Sequence, residues 1–398
     1  LCEPLVTEDY VVQSMPDVSP TKWHLAHTSW FFETFLLARY AAGYQPFNRD
    51  FAYLFNSYYV AVGDRHCRQN RGLLSRPTVE EVYEYRRHVD RYMSEWLRAL
   101  SDDPPLQHEI APLVELGLHH EQQHQELLLT DIKHVFWVNP LRPAYRKSPE
   151  PSPQSPSPMR WINFPEGLHW IGHEGESFCY DNETPRHRTF VESFQLGSRL
   201  VTNGEYQKFI ADGGYREPRL WLSIGWAAVQ EQRWQAPLYW IERDGQWLHH
   251  TLGGLRPAAD DEPVCHLSYF EADAFARWAG ARLPTEAEWE VACASLPIAG
   301  NLVESQAFHP APAVGDAPLA QMFGDVWEWT ASQYTPYPGF KPAEGAIGEY
   351  NGKFMCNQFV LRGGSCATSA SHIRATYRNF FPPDARWQFA GLRLARDS

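Results

Sequence analysis

The chain has 398 residues, with 35 lysines and arginines against 48 aspartates and glutamates, and a formal net charge of −13. Hydrophobic residues make up 43% and charged residues 21%, which is typical of a folded protein of two or three domains. The acidic balance disfavours nucleic acid and anionic membranes as partners, because both require a basic surface. No apolar run of about 18 residues occurs, so the sequence predicts no membrane-spanning helix.

Seven cysteines are scattered along the chain, and none forms a Cys-x-x-Cys pair. This pattern predicts reduced thiols and a cytoplasmic protein. Residues 1–4 carry neither an initiator methionine nor the start of a signal peptide, so we expect the chain to begin inside a longer one.

Helical periodicity dominates the first part of the sequence. Pro20 stands near one predicted helix start, and Thr78 followed by two glutamates is typical of another. We therefore predict a helical bundle over residues 1–142, with helices over 20–42, 77–100 and 108–138 and a fourth over 4–14 or 47–62.

Residues 143–159 are rich in proline and serine and predict a semi-extended linker between two domains. After the linker, residues 160–398 contain many tryptophans, glycines and short apolar runs. This texture predicts an irregular α+β domain with long ordered loops, in which only 202–212 and 268–281 have clear helical patterns behind a Thr or Ser cap.

The sharpest local motif is a pair of histidines four residues apart, His120 and His124, inside a predicted helix. Side chains at this spacing share one helix face and can bind one metal ion. Glu121 completes the His-Glu-x-x-His pattern of zinc hydrolases, in which the glutamate is the general base. A third ligand is available from His24 or His27, and three imidazoles suit zinc, copper or iron. The alternative is a pair of buried histidines bound to backbone carbonyls.

Six motifs of the sequence are informative together: PTKWHLAHTSWFFE (20–33), HEQQHQE (120–126), RLPTEAEWE (282–290), GDVWEWT (324–330), LRGGS (361–365) and AGLR (390–393). Together they resemble the ergothioneine-biosynthesis sulfoxide synthases, which are mononuclear non-haem iron enzymes. The first half is similar to a DinB-like four-helix bundle, and the second to a formylglycine-generating-enzyme domain, a variant of the C-type lectin fold. The formylglycine enzymes use a cysteine pair at places where this chain has Thr368 and Ile373, so we do not expect that chemistry.

The resemblance implies an Fe(II) site with His27, His120 and His124 as ligands. It also implies that the metal brings together hercynine, a thiol and O2 and activates O2 for carbon–sulfur bond formation. Gln123 resembles the family's glutamine that contacts the hercynine imidazole. Asn379 resembles the asparagine that holds the hercynine carboxylate.

The sequence departs from the relatives that use γ-glutamylcysteine, which commonly read Arg-Asn-Trp-Asp where this chain has Phe380 and Phe381. The loss of that acid favours free cysteine over γ-glutamylcysteine as the thiol substrate. Arg65 or Arg68 is predicted to bind the cysteine carboxylate, and Asp17 to face its amino group. Ordinary surface ion pairs are the alternative for these three residues.

A second departure concerns the proton donor, a tyrosine of a Tyr-x-x-Tyr stretch in the family. The comparable stretch here is 347–350, which has only Tyr350. Tyr58 and Tyr59 are predicted to supply the phenol instead, since a phenol is protonated at neutral pH. Packing in the core is the alternative for this aromatic pair.

Three other functions stay open from the sequence. One is an ovothiol-type enzyme that joins histidine and cysteine, and another is a zinc hydrolase with Glu121 as base. The third is a lectin-like binding module on a structural bundle, which leaves the histidines unexplained.

Overall fold

The polypeptide forms two units, seen in a computed structural model that describes residues 1–100, 103–147, 157–315 and 317–398. Within these residues, no helix combines the length and the apolarity needed to cross a membrane. All seven cysteines are free thiols, as the scattered cysteine pattern predicts.

The first unit is discontinuous in sequence. It contains Leu1–Leu141 together with Ala343–Tyr350, and the second unit contains Arg142–Pro342 and Asn351–Ser398. The sequence placed 343–350 in the second domain, and the structure corrects this assignment. The physical reason is local, since Ile347 packs against the apolar core of the first unit.

Long helices build the first unit around a central buried helix. That helix, α1, has ten buried residues among its twelve, polar ones included, so it is enclosed by its neighbours on all sides rather than facing solvent. Thr78 caps α4 through the Glu81 amide at 3.2 Å, and the Glu81 carboxylate accepts from the Thr78 amide at 2.6 Å, which confirms the predicted cap. The helices are α1 (Thr21–Phe32, followed by a π-helical turn, Glu33–Leu37), α2 (Ala38–Tyr40), α3 (Phe51–Leu54), α4 (Val79–Ala99) and α5 (Pro104–Val138).

A fourth helix was predicted over 4–14 or 47–62, and the structure forms short helical turns there. The two candidate segments hold a short 3-10 helix, Thr7–Val11, and the four-residue α3. Aromatic residues such as Phe51 and Phe55 are buried there, so the apolar spacing reflects packing of an irregular segment rather than a continuous helix.

The predicted linker is shorter than its composition indicates. Tyr145 is buried, and its amide donates to the carbonyl of Leu252 at 2.8 Å. At the other end, the carbonyl of Ser157 accepts from Arg199 Nε at 2.6 Å. Both ends therefore belong to the second unit, and residues 148–156 lie outside the described residues.

Short strands and helices form the second unit, as its composition predicts. The capped helical segments are confirmed, with Thr202 and Ser268 as N-caps. The sheets have the orders β1-β4-β12, β10-β9-β8-β11, β2-β3 and β5-β6-β7, and all pairs are antiparallel except β8 with β11. The strands are β1 (Trp161–Phe164), β2 (Gly167–Ile171), β3 (His187–Val191), β4 (Phe194–Gly197), β5 (Trp240–Arg243), β6 (Gln246–Thr251), β7 (Gly254–Pro257), β8 (Trp327–Gln333), β9 (Phe359–Arg362), β10 (Asn379–Phe381), β11 (Ala390–Gly391) and β12 (Ala395–Asp397); the helices are α6 (Asn203–Ala211), α7 (Ser223–Gln232), α8 (Tyr269–Trp278) and α9 (Glu286–Cys293), and α10 (Glu349–Gly352) begins in the first unit.

The sequence motifs of the second unit pair with one another through buried charges. Arg393 of the AGLR motif binds Glu328 of the GDVWEWT motif at 2.9 Å, and both side chains are 0% exposed. Arg362 of the LRGGS motif binds Glu290 of the RLPTEAEWE motif at 2.5 Å. Removing one partner would leave an uncompensated buried charge. These motifs therefore specify the fold rather than supply reactive groups.

Asp325 is expected to make the second unit less stable as pH rises. Burial raises its pKa from 3.8 to about 6, so the folded state binds a proton that the unfolded state has already lost. The resulting stabilisation is complete below pH 3.8 and is lost as pH rises through about 6. The two pKa values differ by an amount worth about 3 kcal/mol of unfolding free energy at most.

The measurement is urea unfolding of the full chain and of Asp325→Asn between pH 4 and pH 7. Because the asparagine does not titrate, the difference between the two proteins isolates Asp325 from every other acid. We expect the wild-type advantage over Asp325→Asn to shrink toward pH 7. A constant difference across this range contradicts the prediction.

Candidate metal centre

Three imidazoles converge in the first unit. His27 lies on α1, and His120 and His124 lie one turn apart on α5. Each offers one ligand nitrogen, and these atoms all lie within 4.8 Å of one another. The structure thus brings together the three histidines that the resemblance to the sulfoxide synthases selects.

Hydrogen bonding fixes which nitrogen of His27 is free for a ligand. Its Nδ1 lies 2.6 Å from the carbonyl oxygen of Phe55, and a carbonyl can only accept. Nδ1 therefore carries the proton, and Nε2 keeps its lone pair for a metal ion.

His24 orients His124 through a second hydrogen-bonded chain. His24 Nε2 lies 2.9 Å from Asp131 Oδ2, and His24 Nδ1 lies 2.9 Å from His124 Nδ1. The carboxylate accepts from His24 Nε2, so His24 Nδ1 is left to accept a hydrogen bond and His124 Nδ1 is the donor. The Nε2 lone pair of His124 is thereby left for a metal ion, and partners of this kind orient ligands and raise their basicity.

The electrostatics keep the cluster neutral. Burial lowers the pKa of His120 to about 3, and burial together with neighbouring histidines lowers the pKa of His27 and His124. The buried Nδ1 of His120 has no hydrogen-bond partner among the described residues. Neutral imidazoles with an unsatisfied buried nitrogen fit a transition metal, whose binding requires unprotonated ligands.

Aromatic rings and one arginine enclose the centre. Trp23 stacks on His27 at 4.5 Å between ring centroids, and the guanidinium of Arg71 lies 3.3 Å from the Trp23 centroid. Trp30 stacks on the same histidine at 5.4 Å, and Phe31 lies 4.7 Å from His120. These rings exclude water and hold the ligands in place.

Arg71 was not predicted from the sequence, although its spacing from Arg68 offered a signal. Both lie on one 3-10 helix, Arg68–Leu73, where side chains three residues apart share a face. Burial and the like charges of Arg68 and Arg65 lower the pKa of Arg71 to about 9. The Nε atoms of Arg68 and Arg71 are buried without a hydrogen-bond partner among the described residues. Such a cluster favours an anionic ligand.

The other residues predicted around the thiol are close to these arginines. Arg68 donates to Tyr58 Oη at 2.5 Å and also to the backbone carbonyl of Asp17. Arg65 donates to the carbonyl of Ser57 at 2.7 Å. Arg65 and Arg68 therefore both lie beside Tyr58. Asp17 is exposed, and it contacts Arg68 through its backbone carbonyl.

Tyr58 and Tyr59 occupy different environments. Tyr59 is buried, and its ring lies 5.7 Å from Trp30 and 5.1 Å from Phe35. Burial, with the nearby Tyr350 and Glu349 side chains, raises the pKa of Tyr59. The ring centroids of Tyr58 and Tyr350 lie 6.0 Å apart within the first unit. Tyr350 is the tyrosine of stretch 347–350, which corresponds to the family's Tyr-x-x-Tyr.

Glu121 is placed differently from the base of a zinc hydrolase. Its carboxylate forms an ion pair with Arg86 of α4, which also donates to the Thr28 hydroxyl at 3.0 Å. An arginine partner stabilises the carboxylate and occupies it. The sequence therefore contains the His-Glu-x-x-His pattern, but its glutamate forms an ion pair that links α5 to α4.

Gln123, Asn379, Phe380 and Phe381 were predicted to bind substrates. Gln123 is partly buried on α5 between the two ligands of that helix. The other three form β10 of the second unit, where Phe380 stacks on Tyr334 at 4.1 Å and Phe381 lies 5.6 Å from Trp387. Asn379 Oδ1 accepts from the amide of Phe380 at 2.9 Å.

Replacing Asp131 with asparagine is expected to lower metal affinity by about 10- to 100-fold. The asparagine keeps its amide oxygen toward His24 Nε2, because the Ser19 amide donates to the same position at 2.8 Å, but it lacks the negative charge that strengthens this hydrogen bond and, through His24, the basicity of His124. Equilibrium dialysis of Fe(II) or Zn(II) against full-length Asp131→Asn measures the change. Asp50→Asn, at an exposed position, is the control, and equal affinities of the two variants contradict the orienting role.

Comparison with known proteins defines the class. The family model "Sulfatase-modifying factor enzyme 1-like domain" matches residues 146–315 and 307–398, and the model "DinB superfamily" matches residues 1–128. The chain belongs to the sulfatase-modifying factor enzyme 1-like family, with a DinB superfamily region before that domain.

Individual relatives narrow the class further. A hercynine oxygenase of Mycobacterium tuberculosis is 42% identical over 246 residues, covering 56% of this chain and 57% of the relative. Ergothioneine biosynthesis protein 1 of Schizosaccharomyces pombe is 28% identical over 288 residues, covering 63% of this chain and 35% of the relative. A formylglycine-generating enzyme of Bos taurus is 28% identical over 295 residues, covering 62% of this chain and 76% of the relative. These relatives confirm the resemblance to the ergothioneine sulfoxide synthases, and the chain spans little more than half the length of the hercynine oxygenase.

Proposed function

We propose that this protein is an Fe(II)- and O2-dependent sulfoxide synthase that joins a thiol to hercynine in ergothioneine biosynthesis. The convergence of His27, His120 and His124 within 4.8 Å carries the proposal. The hercynine oxygenase similarity supports the choice of reaction.

Three neutral histidines would hold the iron and leave other coordination positions for substrates. Bound Fe(II) supplies the activation of O2 that carbon–sulfur bond formation requires. The protein contributes orientation of the ligands through Phe55 and His24 and a shell of aromatic rings that limits water.

Free cysteine is the proposed thiol, with γ-glutamylcysteine as the competing substrate. The arginine cluster supports a compact anionic ligand, because the buried Nε atoms of Arg68 and Arg71 can donate to a carboxylate. Arg65 adds positive charge, and Asp17 is proposed to face the amino group. Phe380 and Phe381 provide no acid for the longer dipeptide.

Gln123 and Asn379 are proposed to bind hercynine through its imidazole and its carboxylate, respectively. Tyr58 or Tyr59 is proposed as the proton donor. The burial that raises the pKa of Tyr59 keeps that phenol protonated at neutral pH, and Tyr58 has the polar partner Arg68.

The architecture we propose is a DinB-like four-helix bundle, its fourth helix reduced to short turns, followed by a C-type-lectin-like domain over 160–398. Seven free thiols support a cytoplasmic location.

The second candidate is the ovothiol-type reaction, in which histidine replaces hercynine as the acceptor. The zinc hydrolase is disfavoured by the ion pair of Glu121 with Arg86. Glu121→Gln retaining C–S bond formation would separate an oxygenase from a hydrolase that depends on this base.

The decisive experiment is anaerobic loading of the full chain with Fe(II), followed by O2, hercynine and either cysteine or γ-glutamylcysteine, with products identified by mass. We expect a hercynine–cysteine sulfoxide. A product from γ-glutamylcysteine alone overturns the thiol assignment. Adduct formation only with histidine favours the ovothiol-type reaction, and no O2 uptake with any pair rejects the oxygenase.

A further inference from the structure

A second cluster of metal-binding side chains occurs in the second unit. His249, Glu262 and His309 each offer one ligand atom, and these atoms all lie within 4.8 Å of one another. We propose that they form a structural site for a divalent transition-metal ion of the zinc class. Two imidazoles and one carboxylate are an established ligand combination for zinc.

The two oxygens of Glu262 have different partners. Oε1 accepts from Arg256 Nη2 at 2.6 Å, whereas Oε2 lies 3.1 Å from His309 Nε2 and 3.9 Å from His249 Nε2. A separation of 3.9 Å is too long for a hydrogen bond. Two ligands at about 2.1 Å from one tetrahedral ion are themselves about 3.4 Å apart, which lies between the two observed distances.

Arg256 fits the role of an orienting partner of the ligand carboxylate. It is the cross-strand neighbour of His249, on β7 and β6 respectively, so both side chains approach Glu262 from one small sheet. By binding Oε1, the guanidinium holds the carboxylate in place and directs Oε2 toward the histidines. Ligating carboxylates are commonly hydrogen-bonded in this way.

The main chain holds the ligands in place by contacts that do not involve the site. The carbonyl of Glu262 accepts from the amide of Asn203 at 2.8 Å. The carbonyl of His309 accepts from Asn301 Nδ2 at 2.8 Å. The side chains of His249 and Glu262 are 8% and 2% exposed, and that of His309 is 14% exposed. The site is therefore preorganised and nearly buried, with access beside His309.

A metal ion here would fasten an irregular segment to a sheet. Between Ser305 and Trp327 the described residues form neither helix nor strand, and His309 lies in this segment. Binding would tie it to β6 and to the loop that carries Glu262. Stabilisation by the ion then follows from preferential binding to the folded state.

The test uses the full chain with His124→Ala, so that the histidine centre of the first unit does not contribute. Metal is removed with a chelator, zinc is returned by dialysis, and zinc content and Tm are measured. We expect one zinc per chain and a Tm that rises with zinc concentration. His124→Ala/His309→Ala is expected to bind none and to lose the rise, whereas His124→Ala/His169→Ala is the matched control.

Glu262 is left in place because its removal would leave Arg256 unpaired in a buried position. If His124→Ala/His309→Ala does not fold, folded His124→Ala is titrated with Co(II) instead. We expect the visible absorption bands of tetrahedral cobalt. Absence of zinc from His124→Ala, equal zinc in both double variants, or absence of the cobalt bands overturns the proposal. Failure of the sulfoxide synthase assay does not affect these outcomes.

Discussion

His124→Ala is expected to abolish iron binding and C–S bond formation together. The substitution removes one of three imidazoles that lie within 4.8 Å of one another and breaks the chain from Asp131 through His24. Loss of a partner outside the ligand set typically costs 10- to 100-fold in metal affinity, so loss of a ligand is expected to cost more than about 100-fold. Iron content after reconstitution and product formation by mass spectrometry measure the two effects.

The matched control is His119→Ala, which changes a histidine of the same helix outside the cluster. It is expected to bind iron like the wild type. Thermal unfolding of both variants checks that the helix is intact, and His120→Gln provides a variant of closer size at a second ligand. Full iron content or full turnover in His124→Ala would remove the proposed site.

Replacing both Tyr58 and Tyr59 with phenylalanine is expected to redirect the reaction from coupling to thiol oxidation. The phenol is the proposed source of a proton, and general acids of this kind contribute about 10²- to 10⁴-fold to rate. Phenylalanine keeps the ring packing of Tyr59 against Trp30 while removing the hydroxyl. O2 uptake is expected to continue while the sulfoxide yield falls.

Single variants distinguish the two tyrosines. If Tyr58 is the donor, Tyr58→Phe reproduces the double variant, and its effect includes the hydrogen bond from Arg68 at 2.5 Å. If Tyr59 is the donor, Tyr59→Phe reproduces it instead. Tyr53→Phe, with 46% of the tyrosine exposed, is the control, and an unchanged ratio of sulfoxide to oxidised thiol in the double variant rejects both.

Only the local part of the candidate centre follows from helical geometry. His120 and His124 are four residues apart on one helix, so helical geometry alone places them together. The choice of His27 over His24 required the family resemblance, because both were compatible with helical spacing. The structure gives His24 a separate role that depends on Asp131, 107 positions away, and no local pattern reports such a pairing.

The errors in fold prediction also have physical causes. Aromatic residues buried in and beside a short helical turn, such as Phe51 and Phe55, produce spacings that resemble a longer helix. The Pro/Ser-rich composition of 143–159 could not predict that Tyr145 is buried, because that burial depends on residues distant in sequence. The structural role of the second unit's motifs could not be predicted, because it depends on buried ion pairs between distant residues. Glu328 and Arg393, for example, are 65 positions apart.

The discontinuity of the first unit has a consequence for its synthesis. The Glu349 carboxylate accepts from the amides of Val60 and Ala61 at 3.0 and 2.8 Å. Roughly 200 further residues must leave the ribosome after Leu141 before this contact can form. While those residues are synthesised, residues 1–141 lack this contact, and a fragment ending at residue 141 would lack it permanently.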